Sequence, residues 1–190
     1  LTTADHVNQL RAEQRVGATV HTTLDDAVQR EIEVSLREHL DGLGRHVTQA
    51  AVVVLRNSDG AVLAMVGSRD YFDAEHAGAA NAITGRRRPG STLKPFVYGL
   101  ALERGDTPAS MAFDVVLANE THESYTTEVK QHGFARYRES LAGSYNLAAV
   151  HTLLKVGPSS LVSRLRQAGL STLDRPDTNY GPSLAIGEAE

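Results

Sequence analysis

The 190-residue chain is long enough to form a hydrophobic core, and its 41% hydrophobic and 22% charged residues are ordinary for a globular protein. The formal net charge of −4 gives no general attraction for nucleic acid, and the absence of cysteine excludes disulfides, thiolate metal ligands and cysteine nucleophiles. No apolar run approaches the roughly eighteen residues that span a bilayer, so if the protein is exported or anchored, that information is expected upstream of Leu1.

The first half of the chain predicts an approach segment, a helix and a β-hairpin. Residues 1–21 form a polar approach segment, and residues 22–26 (TTLDD) have the pattern of a helix start. An apolar stripe at four-residue spacing indicates a helix that ends at Gly42 and Gly44; the stripe consists of Val28, Ile32, Leu36 and Leu40. Residues 50–55 and 61–66 flank the turn sequence NSDG and predict a hairpin, whose nearly continuous apolar character indicates strands covered on both faces.

The second half predicts mainly helices. A long loop over residues 71–85 leads to a helix that carries apolar positions from Leu93 to Ala101 and closes at Gly105. Residues 106–137 predict irregular structure, with an edge strand near residues 125–129. Further helices are predicted from Asn146 to Val156 and from Ser159 or Ser160 to Gln167.

A serine and a lysine lie three residues apart in RRRPGSTLKPF, residues 86–96. Ser91 and Lys94 share one face of a helix at this spacing, so the amine of the lysine can reach the serine hydroxyl. A lysine of lowered pKa can take the serine proton, and free N–H groups at a helix start favour an oxyanion. Pro95 fits the first turn, where its missing N–H costs no helical hydrogen bond. The alternative is that Ser91 only caps the helix and Lys94 is a solvated first-turn residue.

A second pattern, Ser144-Tyr145-Asn146, precedes the next predicted helix. A serine hydroxyl here can pass protons between the lysine and a leaving amine. The Asn146 amide can hydrogen-bond a substrate peptide group with both a donor and an acceptor. The alternative is again a helix cap, in which Ser144 or Asn146 accepts a free N–H. The two patterns together are more specific than either alone.

The combination SxxK and SxN resembles the penicillin-recognising serine acyltransferases, which comprise penicillin-binding proteins and serine β-lactamases. Most of residues 22–190 is similar to the transpeptidase domain of class A, bifunctional penicillin-binding proteins. The segments that carry this resemblance are TTLD at 22–25, AMVG at 64–67, ANA at 80–82, PGSTLKPF at 89–96, LAGSYNLAAV at 141–150 and GPSLAIG at 181–187.

The resemblance implies an α/β fold of the α+β type, with helices packed on a mainly antiparallel sheet, and it makes residues 22–190 a partial transpeptidase domain. Ser91 would attack the D-Ala-D-Ala carbonyl of a peptidoglycan stem peptide and form an acyl-enzyme, with its backbone N–H as one oxyanion donor. Lys94 would be the base, Ser144 the proton shuttle towards the leaving D-Ala, and Asn146 a clamp on the substrate amide. β-Lactams would acylate the same serine.

One departure from the family pattern is the absence of its third motif, Lys-Thr-Gly on a strand. No lysine follows Lys155, and the only Thr-Gly pair, Thr84-Gly85, lies upstream of Ser91. In the family this strand supplies the second oxyanion donor and binds the substrate carboxylate. We therefore expect the chain to be an N-terminal portion of the domain, without its C-terminal strands and inactive alone.

The resemblance also implies partners and a location. Peptidoglycan stem peptides and β-lactams are the expected ligands, and other cell-wall proteins are possible partners. The expected location is the cell envelope, at the periplasmic face of the inner membrane, with a membrane anchor and a glycosyltransferase domain upstream. No cofactor or nucleic-acid partner is predicted, and the eight histidines lack HxH or HExxH spacing, which argues against a metal site.

Two alternatives stay open. The first is a β-lactamase or D,D-carboxypeptidase that transfers the acyl group to water, although the Glu-x-x-x-Asn segment expected of a class A β-lactamase does not appear. The second is a non-catalytic remnant of the fold that serves as a binding module.

Overall fold

The computed structural model describes residues 21–44, 46–117 and 130–188. They fall into two compact units that divide between Arg86 and Arg87. The predicted boundary between an approach segment and a domain at residue 22 stays a prediction, since residues 1–20 lie outside the described ranges. No helix in those ranges has the length and apolarity needed to cross a membrane.

The first unit begins with helix α1 (Asp26–Leu43), which confirms the predicted helix. Its N-cap is Asp25 rather than a threonine, because a carboxylate oxygen of Asp25 accepts the N–H groups of Ala27 and Val28 at 3.0 and 3.1 Å. Leu36 and Leu40 of the predicted stripe are buried with Val66 in a small core.

Strands β1 (Val52–Leu55) and β2 (Val62–Val66) pair antiparallel and confirm the predicted hairpin. The expectation that both faces are covered is wrong. Helix α1 packs on strand β2, while Val53 and Leu55 are 39% and 54% exposed. Successive side chains of a strand point to opposite faces, so every second apolar residue of β1 faces solvent here.

The second unit is built around a buried helix. Helices α2 (Lys94–Glu103), α3 (Tyr137–Ala142), α4 (Asn146–Val156) and α5 (Pro158–Gln167) are joined by strands β3 (Met111–Asp114) and β4 (Gly133–Arg136). Helix α4 lies at the centre, in contact with α2, α3, α5, β3 and a late 3₁₀ turn, Pro182–Ile186. The sequence predicts an apolar side of this helix at Leu147, Val150 and Leu154; Leu147 and Val150 are fully buried, but Leu154 is 46% exposed and the adjacent Leu153 is buried instead.

The expectation of irregular structure over residues 106–137 is wrong in part. Strands β3 and β4 form an antiparallel hairpin, and α3 begins directly after β4. Each strand has four residues, too few for alternation to stand out in the sequence. The predicted edge strand near residues 125–129 lies outside the described residues.

The α+β fold class is confirmed, and the described strand pairs are antiparallel. They form two separate two-stranded sheets rather than one sheet. The helices predicted from Asn146 to Val156 and up to Gln167 are also confirmed, with α5 beginning at Pro158.

Candidate active site

Ser91 lies on a 3₁₀ turn, Gly90–Leu93, that runs directly into helix α2. Residues three apart are eclipsed on a 3₁₀ turn, so Ser91 and Lys94 are stacked along the same side, and the Lys94 N–H donates to the Ser91 carbonyl oxygen. Gly90 enters the turn with φ +58°, and the serine is exposed. No side chain caps the start of the turn or of the helix, so the alternative in which Ser91 is only a cap is wrong.

Lys94 is buried, with only 1% of its surface exposed. Its Nζ donates to the Ser144 carbonyl oxygen and to Asn146 Oδ1, both at 2.6 Å, and lies 3.0 Å from Ser144 Oγ. The alternative of a solvated first-turn lysine is therefore wrong. The side chain of Lys94 spans from helix α2 to the first turn of helix α4 and joins the two sequence patterns.

The contacts of Lys94 are compatible with both of its protonation states. An ammonium has three N–H donors, which matches three oxygen neighbours. A neutral amine keeps two N–H donors for the Ser144 carbonyl and Asn146 Oδ1, and its lone pair then faces the Ser144 hydroxyl, which can donate as well as accept. Burial lowers the pKa of Lys94 from its ordinary value of 10.5, while the negative charge of Asp114 acts in the opposite direction.

Ser144 has an unusual backbone conformation. Its φ of +54° lies in the left-handed region, which costs a non-glycine residue about 1–2 kcal/mol. This conformation directs both its carbonyl oxygen and its hydroxyl towards Lys94. Residues held in such conformations are concentrated at functional sites.

Neither Ser144 nor Asn146 caps helix α4. The N-cap residue is Tyr145, without a side-chain cap, and the N–H of Ala148 donates instead to Oδ1 of Asp114 at 3.1 Å. The alternative in which the SxN pattern is a helix cap is therefore wrong. Asn146 is partly exposed, and its side-chain oxygen accepts from Lys94.

Two residues next to the site were missed by the sequence reasoning. Asp114, the last residue of β3, is fully buried, and its Oδ2 lies 2.6 Å from His132 Nδ1. The ring of His132 stacks on Tyr145 with centroids 3.8 Å apart and planes 4° apart. An isolated aspartate and histidine 18 positions apart form no motif, so only the β3–β4 pairing brings them together.

A third missed feature is the close approach of Gly187 to Gly90. A Cβ atom built on Gly187 would lie 2.1 Å from the Gly90 nitrogen and 2.5 Å from its carbonyl oxygen. Gly187 follows the 3₁₀ turn Pro182–Ile186, which contacts the turn that carries Ser91. The GPSLAIG segment thus packs against the turn that carries Ser91, a contact that its sequence alone does not reveal.

The structure joins three of the four predicted site residues directly, namely Lys94, Ser144 and Asn146. Ser91 lies one turn before Lys94, and among the described residues no hydrogen bond joins Lys94 Nζ to Ser91 Oγ. The chemical roles of all four residues stay predictions. In the same ranges, no group of three His, Cys, Asp or Glu side chains could hold a metal ion.

The chain is similar to known proteins over most of its length. Residues 50–187 match the family described as penicillin binding protein transpeptidase domain. The chain is 36% identical over 152 residues to penicillin-binding protein 1C of Escherichia coli (strain K12), a match that covers 80% of the chain and 20% of that protein. It is 30% identical over 174 residues to penicillin-binding protein 1A of Pseudomonas aeruginosa, covering 86% of the chain and 20% of that protein.

Among solved structures, the fold is similar to that of the penicillin-binding protein PonA1 from Mycobacterium tuberculosis, with a TM-score of 0.72 at 24% identity. That match covers 90% of this chain and 46% of the other. The chain spans about a fifth of the length of the two curated relatives, which are class A penicillin-binding proteins. The chain therefore belongs to the penicillin-binding protein transpeptidase domain family.

Proposed function

We propose that this chain carries the nucleophile side of a serine D,D-transpeptidase that crosslinks peptidoglycan stem peptides. The observation that carries the proposal is the buried Lys94, which is hydrogen-bonded to Ser144 and Asn146 one turn after the exposed Ser91. A buried cation is costly unless it is paired and hydrogen-bonded. Burial that lowers the pKa of an amine is one way to make it a general base.

In the first step, Ser91 Oγ attacks the carbonyl carbon between the two D-Ala residues of a donor stem peptide. The serine proton passes to Lys94 Nζ, and an oxyanion forms on the carbonyl oxygen. The C–N bond then breaks, and Ser144 Oγ gives its proton to the departing D-Ala amine while Lys94 returns a proton to Ser144. The product is an ester on Ser91 and free D-Ala.

In the second step, an amine of a neighbouring stem peptide attacks the ester carbonyl. The amine loses a proton to the Lys94–Ser144 pair, the C–O bond to Ser91 breaks, and Ser91 Oγ takes a proton back. The result is a new amide crosslink and the regenerated serine. β-Lactams acylate Ser91 through the same first step, with the ring C–N bond in place of the peptide bond.

Asn146 orients the donor in this proposal. Its Oδ1 accepts from Lys94, which fixes the amide so that its NH₂ group is presented to a substrate carbonyl. The Ser91 N–H supplies one oxyanion donor. Since this sequence has no Lys-Thr-Gly, the 190-residue chain by itself lacks the family's second oxyanion donor, and we expect it to be inactive alone.

Family membership also supports a location and partners. The proposed location is the cell envelope, on the periplasmic face of the inner membrane, where the stem peptides are found. A membrane anchor, an upstream glycosyltransferase domain and other cell-wall proteins as partners are part of the same proposal, on the basis of the class A relatives.

The test uses the full-length protein, a donor stem peptide that ends in D-Ala-D-Ala and an amine acceptor. The expected products are free D-Ala and a crosslinked dimer, and both disappear in Ser91→Ala. Release of D-Ala without dimer at saturating acceptor indicates a carboxypeptidase, and rapid release of hydrolysed penicillin indicates a β-lactamase. Release of no D-Ala, together with no acylation by penicillin, contradicts the proposal and favours a binding module.

A further inference from the structure

Asp114 is the only carboxylate that is fully buried among the residues that the structure describes. It lies at the end of strand β3, inside the core of the second unit, at 0% exposure. A buried carboxylate is costly unless its oxygens are hydrogen-bonded, so its contacts define its role.

Both carboxylate oxygens of Asp114 are in use. Oδ1 accepts the N–H of Ala148, the third residue of helix α4 and two residues after Asn146. Oδ2 accepts the backbone N–H of His132 at 3.0 Å and lies 2.6 Å from Nδ1 of the same residue. Asp114 therefore fixes the first turn of α4, which carries Asn146 and begins two residues after Ser144.

His132 shields this carboxylate. Its side chain is 29% exposed, whereas the Asp114 side chain has no exposure, so the imidazole lies between the carboxylate and solvent. The same ring stacks on Tyr145, the middle residue of the SxN pattern. The Ser144–Asn146 segment is thus contacted by Lys94, through Ser144 and Asn146, and by His132, through Tyr145.

Asp114 also acts on Lys94 electrostatically. Burial lowers the pKa of Lys94, and the charge of Asp114 raises that pKa. Asp114 therefore partly offsets the effect of desolvation on the amine. Within the described ranges, the other titratable groups that interact with this carboxylate are His132 and Tyr98, and burial above all raises the pKa of Tyr98, which keeps its hydroxyl neutral. Because the surroundings are buried, the charge of Asp114 is screened less than it would be at the surface.

We propose that Asp114 is a positioning residue for the acylation of Ser91, which holds the Ser144–Asn146 segment in place and sets the electrostatic environment of Lys94. This inference rests on the proposed function, because it concerns the same serine and the same base. The hydrogen bonds of Asp114 go to His132 and Ala148 rather than to Ser91, Lys94, Ser144 or Asn146, so it acts through the segment that it holds.

The test is Asp114→Asn in the full-length protein, with the rate of acylation by a fluorescent penicillin measured as a function of pH. Without the carboxylate charge, burial lowers the pKa of Lys94 unopposed, so the neutral base is present at lower pH. The rise of the rate with pH should therefore move to lower pH. The maximal rate should fall about 10-fold because the α4 segment is less well fixed.

A merely structural role would reduce the amount of active protein equally at all pH values and leave the profile in place. Asp106→Asn is the matched control. Asp106 accepts hydrogen bonds from Tyr137 and Lys155 but does not contact the site, so its loss should cost stability without moving the profile. An unshifted profile in Asp114→Asn, with labelling that still depends on Ser91, overturns this inference and leaves the proposed function intact.

His132→Ala is the second variant, for the case in which Asp114→Asn does not fold. Removal of the imidazole admits water to Oδ2 and screens the charge, so the profile should move in the same direction by a smaller amount. An unshifted profile in His132→Ala then overturns the inference. Failure of the proposed function is recognised separately, because in that case the wild-type protein is not labelled at Ser91.

Discussion

Gly187→Ala tests whether the GPSLAIG segment positions the nucleophile. The added Cβ would lie 2.1 Å from the Gly90 nitrogen, whereas ordinary van der Waals contact begins at 3.4 Å. One of the two backbones must therefore move by about 1 Å. Gly187 also has φ +81°, which costs an alanine about 1–2 kcal/mol. With about 1–3 kcal/mol for overpacking, the free energy of unfolding should fall by roughly 2–5 kcal/mol.

The effect on activity should exceed the effect on stability. Gly90 immediately precedes Ser91, so a displacement of about 1 Å moves the nucleophile relative to Lys94 and Ser144. A misplacement of this size reduces catalytic rates about 100-fold. The assay is the second-order rate of acylation by a fluorescent penicillin, measured at a temperature where calorimetry shows the variant to be folded.

Gly157→Ala is the matched control for this prediction. Gly157 has nearly the same φ, +82°, but the nearest atom to an added Cβ is Ser160 Oγ at 3.9 Å. The Gly157→Ala variant should lose stability through backbone strain and keep the acylation rate of the wild type. A folded Gly187→Ala protein that acylates as fast as Gly157→Ala would refute the positioning role of the segment.

Three further predictions concern the base, the shuttle and the core. Because burial lowers the pKa of Lys94 below 10.5, the acylation rate of the wild type should rise with pH and reach its midpoint below that value. A midpoint at or above 10.5 in a stopped-flow pH series would contradict a buried base. Ser144→Gly should be more stable than Ser144→Ala by roughly 1 kcal/mol in unfolding free energy, because glycine adopts a positive φ without strain. Both variants should lose acylation to a similar extent. Equal melting temperatures of the two variants would exclude strain at this residue. Leu153→Ala, at a fully buried position of helix α4, should lower the unfolding free energy by about 2–5 kcal/mol in denaturant titration, and a loss under 1 kcal/mol would show that α4 is not the centre of the core.

The residues of the site could be predicted from the sequence where local spacing determines the geometry. Ser91 and Lys94 are three residues apart on one turn, and Ser144 and Asn146 flank the start of a strongly apolar helix, so the chain itself brings each pair together. That the two pairs meet through Lys94 depends on the packing of α2 against α4, which the family resemblance implied and the residues alone did not.

The remaining features depend on contacts between distant parts of the chain. Asp114 meets Ala148 and His132 only because β3 pairs with β4 and packs on α4, and four-residue strands leave almost no periodic pattern. Gly187 contacts Gly90, which lies 97 positions earlier in the chain. The sequence cannot distinguish a glycine required by a close backbone contact from one required by a turn. The exposed face of β1 was mispredicted because a run of valines does not show which face a helix covers.

The central claim is that Ser91 is the residue that becomes acylated, and peptide mapping by mass spectrometry tests it most directly. The full-length protein is incubated with penicillin, digested and searched for the adduct. The account predicts one acyl group per protein, on Ser91 Oγ in the peptide that contains GSTLKPF, and no adduct in Ser91→Ala. An adduct on Ser144 or on any other residue, or one that persists in Ser91→Ala, would contradict it.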